Sequence, residues 1–139
     1  MNFLKKLISP SSVKTKIIFI VEDNPAYAKT LEAFLKNKFS DVKEIKVFPV
    51  GEVCLMEIHR NPTVVIMDYF LDTKYADAET GLEIIQKIKA QKPQTNIIIL
   101  SSQKALDVTH EAVKKYDCNY VNKDESAFSK VEALIRQMW

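Results

Sequence analysis

The chain has 139 residues, 47% hydrophobic and 27% charged, with a net charge of +2. That is one ordinary domain with enough apolar content for a core, and too little basic excess to demand nucleic acid. No apolar run approaches a membrane span, the apolar start is too short for a secretory signal, and Cys54 and Cys118 lie far apart without metal-ligand spacing, so the sequence predicts a reducing cytoplasm.

Residues 1–14 read as a flexible leader: Lys5-Lys6 interrupt a few apolar residues, and Ser9-Pro10-Ser11-Ser12 close it. The domain proper is expected over 15–139. Its first apolar run predicts a strand over about 16–22. Asn24-Pro25 then offers a helix cap with proline at the first helical position, and Leu31, Phe34 and Leu35 carry the helical spacing toward Phe39. A second strand is expected at 44–48, followed by one helix through Cys54, Leu55 and Ile58 that ends near Asn61-Pro62. The third strand is predicted at 63–68, and a long loop runs from Tyr69 to Glu79. Thr80-Gly81-Leu82-Glu83 reads as a capping box for a helix carrying Leu82, Ile85 and Ile88, which Lys92-Pro93 stops.

A fourth strand is expected at 96–101, a helix at about 105–115, and a fifth strand at 118–122. The last helix places Phe128, Val131, Leu134, Ile135 and Met138 on one stripe. Five strands alternating with five helices predict right-handed parallel βαβ units in an α/β, doubly wound sheet. The order 2-1-3-4-5 is the economical arrangement.

The chemistry-bearing residues sit at the carboxyl ends of the buried runs. Glu22-Asp23 follow the first, Asp68 closes the third, Ser101-Ser102 end the fourth and Lys123 ends the last. In an open parallel sheet that edge is where ligands bind. Strands one and three are neighbours in the predicted order, so Asp23 and Asp68 meet there beside Glu22. Crowded carboxylates repel, and a divalent cation relieves the repulsion; an all-oxygen, carboxylate-rich set suits Mg2+. One carboxylate can then act as a nucleophile toward a phosphoryl group, with the Lys123 ammonium and the Ser101 hydroxyl as donors to the developing charge. His59 and His110 read as solvated helix residues.

Together these residues resemble the receiver domain of two-component response regulators. The acidic pair followed by Asn24-Pro25, the lone Asp68, the segment Gly81-Leu82-Glu83, Ser101 and Lys123 carry the resemblance over about 15–139. The separations, 22 residues from Ser101 to Lys123 and 45 from Asp23 to Asp68, also look like the family's. It implies the flavodoxin-like (βα)5 fold, Asp68 as phosphoacceptor, and Mg2+ held by Glu22, Asp23, Asp68 and the backbone carbonyl of Phe70. Ser101 and Tyr120 would form a switch pair. The chain departs from the family in its longer loop after the acceptor, in Asp124 where proline commonly follows the lysine, and in Ser101 where threonine is commoner.

The resemblance implies a phosphorylation-dependent signalling module, not an enzyme beyond self-catalysed phosphoryl transfer and autodephosphorylation. A histidine kinase or phosphotransfer protein is the expected donor. Output is expected by protein contact or phosphorelay, to a downstream protein, with no direct nucleic-acid or membrane contact and with a homodimer allowed. Two alternatives stand beside it. One is a pseudo-receiver that binds a partner without phosphorylation. The other is an Asp-nucleophile phosphatase, against which Phe70 counts, because haloacid-dehalogenase-like enzymes carry a second Asp at that position.

Overall fold

A computed structural model describes residues 15–68, 81–101 and 113–139. The predicted leader, the 69–79 loop with Phe70, Thr80 of the capping box and 105–112 of the predicted fourth helix lie outside the described residues.

Five strands form one parallel sheet: β1 (Ile17–Val21), β2 (Glu44–Phe48), β3 (Val64–Asp68), β4 (Asn96–Ser101) and β5 (Asn119–Asn122). Their order is β2-β1-β3-β4-β5, the expected one. β1 and β3 lie side by side, with Val21 opposite Met67, and β4 pairs with β3 so that Leu100 is opposite Asp68. The helices are α1 (Pro25–Lys38), α2 (Gly51–Met56), α3 (Gly81–Gln91), a stretch at 113–116 (α4) and α5 (Ala127–Met138).

Strand side chains alternate between the two faces, and each face has its own core. Phe19, Val21, Val65, Met67, Ile97 and Ile99 pack with residues of α2 and α3 such as Cys54, Ile84, Ile85 and Ile88. Ile18, Ile20, Val64, Ile66, Ile98 and Leu100 pack with α1 and α5 through Leu31, Leu35, Val131 and Ile135. Burying a side chain of this size stabilises by about 1.5–3 kcal/mol, so two continuous cores fix the register of the central strands. The stripe expected on the last helix is the buried one: Val131 and Ile135 are fully buried, and Phe128, Leu134 and Met138 pack partly against the same core.

Asn24 caps α1 as expected, its side chain accepting from the Tyr27 N–H at 3.1 Å with Pro25 behind it. The single helix expected from Cys54 to Asn61 is instead two pieces. α2 ends at Met56, and a 3-10 turn spans Ile58–Arg60. Glu57 leaves the helical conformation and accepts from Lys46 on β2 and from Arg60. Asn61 takes the left-handed conformation (φ 58°) that closes the turn ahead of Pro62. Gly51 opens α2 where it meets α3. A Cβ there would lie 2.6 Å from Cγ1 of Ile84, so only glycine permits this approach.

Candidate functional site

The ends of four strands bring the predicted residues together. The β1–β2 ladder continues one step beyond Val21, with the Glu22 N–H donating to the Phe48 carbonyl at 3.0 Å. This holds Glu22 against the sheet end, and it is buried, as is Asp68. Asp23, next in the chain, is half-buried. Among the described residues, Glu22, Asp23 and Asp68 each offer a carboxylate oxygen, and these oxygens lie within 4.8 Å of one another. Beside the acidic pair a groove of about 240 Å³ runs between α1 and the β2–α2 turn, flanked by Pro25, Ala28, Val47 and Pro49.

Lys123 completes the cluster from the other side. Its N–H donates to the Ser101 carbonyl at 2.8 Å, which extends the β4–β5 ladder past Asn122. Its ammonium then reaches Glu22 Oε1 at 2.6 Å and Asp68 Oδ2 at 3.3 Å. Asp124, in the place where the family commonly has proline, builds the turn into α5. Its side chain accepts from the Ser126 N–H, the Ser126 hydroxyl and the Asn122 amide. These bonds hold the Asp124 carboxyl below its ordinary range, and the turn still delivers Lys123 to the carboxylates.

Burial pushes the Glu22 carboxyl up to about 7, and the nearby Asp68 adds to the rise; the bonds from Lys123 and from the Asn24 N–H oppose it without cancelling it. Burial alone would lower Lys123, but Glu22 and Asp68 outweigh it and hold the ammonium above its ordinary value. A buried carboxylate beside two others is the donor set that a hard divalent cation relieves, so Mg2+ fits these residues.

Ser101 and Tyr120, the implied switch pair, are also joined. Ser101 is buried at the end of β4. The Tyr120 hydroxyl donates to the Ser101 carbonyl at 3.3 Å, the same oxygen that accepts from Lys123. Phe70, the implied carbonyl ligand, lies outside the described residues.

Tyr27 belongs to the site and was not anticipated from the sequence. Lys123 Nζ lies 4.3 Å from the centroid of its ring. The signal available was its place three residues beyond Asn24, on the first turn of a helix that starts at the sheet edge.

The chain matches the family described as response regulator receiver domain over residues 18–135. It belongs to that family. No curated protein matches the receiver. Among solved structures it is similar to the signal receiver domain of a DNA binding response regulator from Colwellia psychrerythraea 34H, with 22% identity, a TM-score of 0.73 and coverage of 88% of this chain and 97% of that one. A response regulator receiver domain protein from Clostridium thermocellum has 19% identity and a TM-score of 0.74, covering 88% and 93%. The RcsB response regulator of Salmonella typhimurium has 18% identity and a TM-score of 0.74, covering 91% of this receiver and 60% of that chain. At these identities the structures establish the shared fold. No helix among the described residues is long and apolar enough to cross a membrane.

Proposed function

We propose that this receiver accepts a phosphoryl group on Asp68 from a histidine kinase or phosphotransfer protein and passes the signal on by protein contact or phosphorelay. The observation that carries the reading is the position of the Lys123 ammonium, bonded to Glu22 and Asp68 at once beside the third carboxylate. A structural ion pair needs two groups; one lysine shared by two carboxylates, with a third carboxylate beside them at the strand edge, suits phosphoryl chemistry.

An Asp68 oxygen attacks the phosphorus of a phosphohistidine. The P–N bond breaks, its electron pair stays on the imidazole nitrogen, and that nitrogen takes a proton from solvent. Lys123 exchanges a carboxylate partner for a phosphoryl oxygen, and the Ser101 hydroxyl donates to another. Glu22, Asp23 and Asp68 would hold Mg2+, which when bound offsets negative charge on the phosphoryl oxygens. Each cycle is one self-catalysed transfer followed by hydrolysis of the acyl phosphate, so the domain is a switch rather than a turnover enzyme. The free, buried thiols of Cys54 and Cys118 suit a cytoplasmic setting.

Incubation with acetyl phosphate and Mg2+, read by intact mass spectrometry, tests the proposal. One added phosphoryl group that fails to form when Mg2+ is chelated beforehand is the expected result. A fully folded protein that takes no label from acetyl phosphate or from a phosphohistidine donor favours the pseudo-receiver.

A further inference from the structure

The geometry points to Tyr27 as a positioning residue for phosphoryl transfer: its ring is the third partner of the Lys123 ammonium and keeps that ammonium at the carboxylates. This rests on the reading of Asp68 as phosphoacceptor and adds a residue to it.

Four residues form a closed circuit. Lys123 Nζ donates to Glu22 Oε1 at 2.6 Å. The other oxygen of the same carboxylate, Oε2, accepts from the Asn24 N–H at 3.1 Å. Asn24 Oδ1 accepts from the Tyr27 N–H at 3.1 Å. The Tyr27 ring returns to Lys123, with the ammonium 4.3 Å from its centroid. At that separation a cation is attracted to the negative face of an aromatic ring, most strongly where water is excluded. The lysine side chain is only 23% exposed.

The ring is itself held. Phe128 of α5 meets it edge-on, with centroids 5.5 Å apart and planes at 72°. Phe34, two turns along α1, also packs against Phe128, with centroids 5.3 Å apart. A lysine on a flexible stem loses rotamer freedom when it is fixed. A braced aromatic face limits where the ammonium can go, so Lys123 is near the phosphoryl oxygens when Asp68 attacks. The hydroxyl of Tyr27 is buried and has no hydrogen-bond partner among the described residues. The ring alone accounts for the effect.

The test is the rate of labelling by acetyl phosphate at saturating Mg2+. Tyr27→Leu is expected to slow labelling about tenfold, equivalent to roughly 1.4 kcal/mol in the barrier. Tyr27→Phe, which keeps the ring, is expected to retain the fast rate. In a Lys123→Ala background Tyr27→Leu is expected to cause no further fall. Phenylalanines of increasing ring fluorination at position 27 keep shape and packing while draining the π-face, so the proposal survives a test even if the leucine variant folds poorly. The rate should fall along that series with Lys123 present and stay flat with alanine there. Equal rates for wild type and Tyr27→Leu, a slow Tyr27→Phe, or a series flat in both backgrounds overturns the role of Tyr27 while leaving Asp68 as acceptor. A wild type that takes no label overturns both.

Discussion

Lys123 and Glu22 lie 101 positions apart in the chain, and their side chains meet at 2.6 Å. The contact ties the end of β5 to the end of β1 across the whole site. It is shorter than the 3.3 Å approach of the same ammonium to Asp68. The lysine is held chiefly by Glu22 and is shared with Asp68.

Replacing Lys123 with alanine leaves the buried Glu22 carboxylate without its cation. Losing a charge-assisted bond of this kind costs about 1.5–3 kcal/mol, and the partial exposure of the lysine argues for the lower end. Urea unfolding of the metal-free protein is expected to show an unfolding free energy lower by that amount. Saturating Mg2+ is expected to recover much of it.

The raised Glu22 carboxyl sets a pH dependence. Its folded value of about 7 lies above the ordinary 4.5, so between those values the folded state binds more protons than the unfolded one. This contribution to stability is fully present below about 4.5 and is lost as pH rises through about 7. Metal-free protein is therefore expected to lose stability over that window, and Glu22→Gln to flatten the trend. A cation must displace the same proton, so Mg2+ affinity measured by titration should rise between pH 6 and 8.

Gly51→Ala tests the helix contact. The added Cβ would meet Ile84, which is fully buried and cannot move out to solvent. Overpacking of this kind costs about 1–3 kcal/mol, more than alanine returns in helix propensity. In the double variant with Ile84→Ala the two losses should add to less than their sum, read by chemical denaturation.

Asn24→Ala removes the acceptor for the Tyr27 N–H. About 1 kcal/mol of stability should go with it. Because the same residue links Glu22 to Tyr27, labelling by acetyl phosphate should slow as well, whereas a cap that served only the helix would leave the rate unchanged.

The fold was readable because the three central strands, β1, β3 and β4, are short apolar runs bounded by turn or cap residues, and parallel strands buried on both faces produce that pattern. The four strand-end groups were legible for the same reason: Asp68 at the end of Val64-Val65-Ile66-Met67 has no packing explanation. Two things were hidden. At the break, Glu57 pairs with Lys46 of β2, a tertiary partner that helical periodicity cannot register. The part played by Tyr27 depends on where Lys123 arrives from the far end of the chain, and spacing along α1 shows only an aromatic residue on an apolar stripe.

The most direct test of the account is the position of the label. After reaction with acetyl phosphate and Mg2+, borohydride reduction converts an aspartyl phosphate to homoserine, which peptide mass spectrometry can place. The account predicts homoserine at position 68 alone and no labelling of Asp68→Asn. Label at another residue, or undiminished label on the folded Asp68→Asn protein, would contradict it.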